Sequence, residues 1–135
     1  MVTARIDYLG NLRCQAEHEQ SGATILSDAP KDNHGNGEAF SPTDLLCASL
    51  AMCMLTIMGI AAKEHSIALS EIKADVTKVM ASSPRRVSKI QITIQGDFSS
   101  WKEKEWVIMK RAADTCPVKQ SIHPAIEVEL EWRQN

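Results

Sequence analysis

Four cysteines, at positions 14, 47, 53 and 116, are the side chains of this 135-residue sequence best suited to chemistry. A cysteine attacks or binds a metal as its thiolate, so its surroundings decide its use. Cys53 lies inside a long apolar run, where a thiol serves as a small core hydrophobe or as a reactive atom. Cys47, six residues earlier, points about 120° away round a helix and reads as core filler. Cys116 precedes Pro117. If a short helix starts at that proline, the Cys116 sulfur faces unpaired N–H groups and the positive dipole end, both of which favour a thiolate. Otherwise Cys116 is a buried cysteine at a chain break. No Cys-x-x-Cys pair and no close Cys/His cluster occurs, so no metal site is expected, and one built from Cys53, Cys116 and His123 is disfavoured by their wide spacing. His123, before Pro124, reads as loop chemistry.

The element that must position Cys53 is the stretch Ser41 to His65, SPTDLLCASLAMCMLTIMGIAAKEH. Ser41 suits an N-cap and Pro42 the first helical position. Asp44 completes a capping box and places negative charge at the positive helix end. From Leu45 to Ala62 only Ser49, Thr56 and Gly59 are not apolar. A helix apolar on every side is expected to be buried on every side, as a central pillar. The run is long enough for a membrane span. Its weakly hydrophobic Ala, Ser, Cys, Thr and Gly, and the lack of flanking Trp or Tyr, argue for a protein core instead, so no membrane is expected.

Strands are expected on both sides of that helix. Val2, Ala4, Ile6 and Tyr8 alternate with Thr3, Arg5 and Asp7; after Gly10-Asn11, Leu12, Cys14 and Ala16 alternate with Arg13, Gln15 and Glu17. A turn at Ser21-Gly22 and a short strand, residues 23–27, complete a three-stranded antiparallel meander. Arg13 lies opposite Cys14 and reads from its strand alone as a solvated charge. Residues 28–40, DAPKDNHGNGEAF, read as a polar loop. Alternation at Ile72, Ala74 and Val76, and at Ile90, Ile92 and Ile94, predicts a hairpin linked through Ser82-Ser83-Pro84. Ser100 and Glu103 predict a second capping box, opening a helix over 101–115 that breaks before Pro117. Ile126, Val128, Leu130 and Trp132 predict a final edge strand with one wet face. The order βββ-α-ββ-α-β argues for an α+β fold in one domain, residues 1–135.

Composition narrows the partners. The sequence is 44% apolar and 24% charged, as in ordinary globular proteins. A net charge of −2 without a basic cluster gives no footprint for nucleic acid. The N-terminus MVTARIDYLG lacks a secretory pattern, so a reducing, cytoplasmic location with unbridged cysteines is the default expectation.

The run FSPTDLLCASLAMC, followed by a helix ending in CPVKQSIHP and a last strand, resembles the OsmC/Ohr family, over nearly the whole chain. The turn Pro84-Arg85-Arg86 is closest to its OsmC-like branch. The resemblance implies an intertwined homodimer in which antiparallel sheets from both subunits wrap the long central helices. It places the family's peroxidatic cysteine on Cys53 and its resolving cysteine on Cys116. The implied activity is thiol-dependent reduction of organic hydroperoxides in oxidative-stress defence, with no cofactor and with an external thiol or dithiol as reductant. Thr43 stands where peroxidases of the family carry a glutamate, ten residues before the helix cysteine.

That departure leaves a second reading, a stress-response or small-apolar-ligand binding protein with little peroxidase activity. It also bears on how Cys53 is activated. Mid-helix N–H groups are already bonded, so a cation must come from elsewhere. The resemblance draws it from the N-terminal strands, where Arg13 is the candidate and Asp44 the carboxylate expected to orient it. Replacing Arg13 by alanine is then expected to slow Cys53 and leave folding nearly unaffected.

Overall fold

A computed structural model describes all residues, Met1 to Asn135. In chain order the elements are β1 (Ala4–Gly10), β2 (Arg13–His18), β3 (Thr24–Asp28), a 3-10 turn (Lys31–Asn33), α1 (Pro42–His65), β4 (Lys73–Ala81), β5 (Arg86–Gly96), α2 (Glu103–Asp114), α3 (Pro117–Ser121) and β6 (Glu127–Gln134). The chain divides into two compact units, Met1–Leu46 and Cys47–Asn135.

In the first unit, β1, β2 and β3 form the expected antiparallel meander. The register aligns Ile6 with Ala16 and Ala16 with Ile25, and Tyr8 with Cys14. Directly paired residues share a face. That face is apolar and open: Ile6 is 62% exposed, Tyr8 66% and Ile25 53%. The loop after β3 folds back on itself. Asp28 N–H donates to the Phe40 carbonyl at 3.0 Å, and Gly37 N–H to the Ala29 carbonyl at 3.2 Å. Gly35 makes this possible, because a Cβ there would lie 1.7 Å from the Ala29 oxygen.

The capping box at the start of α1 is as expected. Ser41 N–H donates to Asp44 Oδ2 at 2.9 Å, and Asp44 N–H donates to Ser41 Oγ at 3.1 Å.

In the second unit, Leu50, Met54, Met58 and Ala62 form a buried stripe of α1, at the four-residue spacing that keeps side chains near one helix face. They share a core with Ile90, Ile92 and Ile94 of β5 and with Met109 and Ala113 of α2. Burial on every side does not occur: Met52 is 59% and Ile60 49% exposed, leaving a second apolar face of α1 bare. By length and hydropathy alone α1 is a helix that could cross a membrane, although its buried stripe is part of this core.

Sheet order is β4-β5-β6, with β5 central. β4 and β5 form the expected antiparallel hairpin, whereas β6 pairs parallel to β5. The crossover through α2 and α3 supplies the length a parallel return needs. The wet face of β6 carries Glu127 and Glu129, and Lys89 bridges both at 3.6 and 2.9 Å.

Helix α2 begins later than Ser100 suggested. Trp101 is buried and its indole N–H donates to the Ala68 carbonyl at 2.9 Å. This pulls residue 101 out of the helix, and Lys102 becomes the cap, its N–H donating to Glu105 at 3.0 Å. Trp101 joins Phe98, Trp106 and Trp132 in a cluster of tilted and edge-to-face rings, 4.6 to 6.2 Å between centroids.

Candidate functional site

The structure brings Cys53 and Cys116 together. Cys53, on α1, is half-buried beside the bare face of the helix, and Cys116 lies fully buried at the junction of α2 and α3. Cys53 lies near enough to Cys116 to push its pKa up. Both are reduced. Two neighbouring thiols can pass between a dithiol and a disulfide if an oxidant reaches one of them.

The break at Pro117 forms as its sequence requires. Cys116 has extended backbone angles, φ −62° and ψ 143°, Pro117 opens α3, and Lys119 N–H donates to Cys116 Sγ at 3.4 Å. The consequence for ionisation differs from the expectation. Burial pushes the Cys116 thiol above its ordinary value of 9.0, Lys119 N–H pulls it down, and the neighbouring Cys53 pushes it up again. Removing a thiolate from water outweighs the donors. Cys116 is therefore held as a thiol, not as the thiolate its capping position suggested.

The remaining cysteines lie apart from this role. Cys47 is buried in the core, as expected, and Cys14 is half-buried on β2. His123 Nδ1 accepts the Ala125 N–H at 3.0 Å, a local loop contact. No group of three His, Cys, Asp or Glu side chains is placed to hold a metal ion.

Arg13, at the start of β2, is ion-paired where its strand position suggested a solvated charge. Its guanidinium donates to Glu38 and lies 3.6 Å from Asp28. Hydrogen bonding and charge from Glu38 raise the Arg13 pKa further, which keeps the guanidinium charged. Asp28 is buried; its Oδ2 accepts the Glu38 N–H at 3.0 Å, while its Oδ1 has no hydrogen-bond partner. The carboxylates holding Arg13 are thus Glu38 and Asp28. The carboxylate expected to do so, Asp44, caps α1 through Ser41. Asp28 had a legible signal, since β2–β3 register places it opposite Arg13. Glu38 had none, because a polar loop residue gives no hint of a partner 25 positions away.

Residues 35–131 match the family model for OsmC-like proteins. A solved structure from Psychrobacter arcticus 273-4, of a protein given a provisional role in osmotic stress induced and detoxification response, is similar at 49% identity. That match covers 98% of this chain and 96% of the other, with a TM-score of 0.93. An OsmC-like protein from Mycoplasma pneumoniae shares the fold at 17% identity and TM-score 0.80, covering 97% and 94%. An organic hydroperoxide resistance protein OsmC from Legionella pneumophila shares it at 18% identity and TM-score 0.72, covering 98% of each chain. No curated protein sequence matches the chain. With the family model spanning most of its length, the chain belongs to the OsmC-like family.

Proposed function

We propose that the protein reduces organic hydroperoxides, with Cys53 as the peroxidatic and Cys116 as the resolving cysteine. The observation that carries this reading is the nearness of a half-buried thiol, Cys53, to a fully buried one, Cys116. The Cys53 thiolate attacks the outer oxygen of ROOH. The O–O bond breaks, the alkoxide takes a proton and leaves as an alcohol, and Cys53 becomes a sulfenic acid. The Cys116 sulfur then displaces hydroxide, which leaves as water, and an S–S bond forms. A dithiol reductant returns two electrons and restores both thiols. Arg13, its guanidinium held by Glu38 and Asp28, is the proposed cation for activating Cys53.

The working form is proposed to be a cytoplasmic homodimer without a cofactor. Support for the dimer comes from two apolar faces left open in one chain, that of the β1–β3 sheet and that of α1 at Met52 and Ile60. Contiguous exposed apolar surface marks an interaction site.

The test is one equivalent of cumene hydroperoxide, followed by peptide mapping. The parent should lose the Cys53 and Cys116 thiols into one intrachain bridge, and Cys53→Ser should consume hydroperoxide no faster than buffer. A parent protein that consumes hydroperoxide no faster than buffer would remove the peroxidase reading and leave that of a binding protein, and consumption by Cys53→Ser at the rate of an active parent would remove Cys53 as the reacting thiol.

A further inference from the structure

We infer that the reductant enters the cycle at Cys53, and that Cys116 is the leaving thiol, expelled toward the Lys119 N–H. This rests on the proposed peroxidase reading and adds the direction in which the disulfide is opened.

The argument is one of access. A thiolate that opens a disulfide must approach one sulfur from the side opposite the other, so the sulfur that can be reached decides the direction. Cys116 is 0% exposed within its own chain. Adding a subunit can cover a sulfur but cannot uncover one, so no assembly gives an external thiolate a path to Cys116. Cys53 retains surface within its own chain. Hydroperoxide must reach Cys53 in the working dimer, so a route to that sulfur remains when the Met52 face is covered, with Cys116 behind it in the core. Hydroperoxide and reductant must then use the same sulfur, one after the other.

The leaving side offers one hydrogen-bond donor. Lys119 N–H already points at Cys116 Sγ at 3.4 Å. The Lys119 ammonium pairs with Asp114, spanning the junction in which Cys116 sits. Hydrogen bonding stabilises a departing thiolate, while burial slows its departure and ensures that it takes up a proton. In the balanced step, R–S⁻ attacks Cys53 Sγ, the S–S bond breaks, and R–S–S–Cys53 and the Cys116 thiolate form. Solvent supplies a proton to Cys116. The second thiolate of a dithiol reductant then attacks its own mixed-disulfide sulfur, closes a cyclic disulfide and releases Cys53.

The experiment makes the disulfide with diamide, so it does not depend on peroxidase activity. The oxidised full-length protein is mixed with excess glutathione as the label, quenched in acid within the reaction time, and mapped. The expected result is the label on Cys53 with Cys116 recovered as a thiol. Label on Cys116 with Cys53 recovered would overturn the inference and leave the peroxidase reading standing. Failure of diamide to join the two cysteines would overturn both. A second measurement uses 5,5′-dithiobis(2-nitrobenzoate) on single variants. Cys53 in Cys116→Ser should react without denaturant, and Cys116 in Cys53→Ser should react only once unfolded. Equal reactivity of the two in the folded proteins, as opening of α3 would produce, would also overturn it.

Discussion

The guanidinium of Arg13 donates to the carboxylate of Glu38, 25 positions further along the chain, and the same guanidinium lies 3.6 Å from the buried carboxylate of Asp28. Glu38 is exposed, so its pair with Arg13 contributes little to stability. Asp28 is different, because water does not reach it and Arg13 compensates its charge. Removing one partner of a buried pair leaves an uncompensated charge. Arg13→Ala is therefore expected to lower the melting temperature as well as slow Cys53 alkylation at neutral pH, in contrast to the near-neutral folding effect its strand position suggested. Arg13→Ala combined with Asp28→Asn should recover most of the lost stability and none of the lost reactivity. A double variant that melts no higher than Arg13→Ala alone would show that Asp28 is not what Arg13 stabilises.

Cys116 gives the protein an alkaline limit. Its folded pKa is raised above the ordinary 9.0 by burial. A raised pKa means that the folded chain binds the proton more tightly than the unfolded chain. The resulting stabilisation is fully present below pH 9.0 and is lost as pH rises through the folded value. Melting curves recorded at increasing pH should fall above that point, and Cys116→Ser should fall less steeply. Parallel curves for the two proteins would contradict the assignment.

Ser41 is buried, accepts the Asp44 N–H and donates its own N–H to Asp44, so it caps the start of α1. Ser41→Ala is expected to cost about 1 kcal/mol, the usual value for a lost cap. Chemical denaturation should show this as a lower midpoint with an unchanged slope. A changed slope would mean that the helix start also frays.

Met52 and Ile60 provide the test of the dimer. A charge placed on either exposed apolar position should cost little in a lone chain and much in a packed interface. Met52→Asp is expected to convert a dimer into a monomer in sedimentation equilibrium at micromolar concentration. A parent protein that sediments as a monomer would remove the proposal.

The sequence foretold those features that depend on neighbours in the chain. Ser41 and Asp44 are three residues apart, and Cys116 is fixed by the proline beside it, so the start of α1 and the break before α3 were both legible. Alternation also located the strands. It says nothing about direction, however, and the parallel pairing of β6 was out of its reach. The α2 start was missed because Trp101 answers to the Ala68 carbonyl, 33 residues away. Glu38 was missed for the same reason of distance. The raised pKa of Cys116 depends on depth of burial, which no local pattern records. For α1, composition showed that both faces are apolar but not that its own chain covers only one.

The ring cluster of Phe98, Trp101, Trp106 and Trp132 has a spectroscopic consequence. It holds every tryptophan of the chain, all within Cys47–Asn135, while the lone tyrosine, Tyr8, belongs to Met1–Leu46. Indole emission therefore reports on one unit, and Tyr8 emission reports on the other. The protein carries two optical probes that need no label, and a melt followed in both channels shows whether its two units come apart together or in turn.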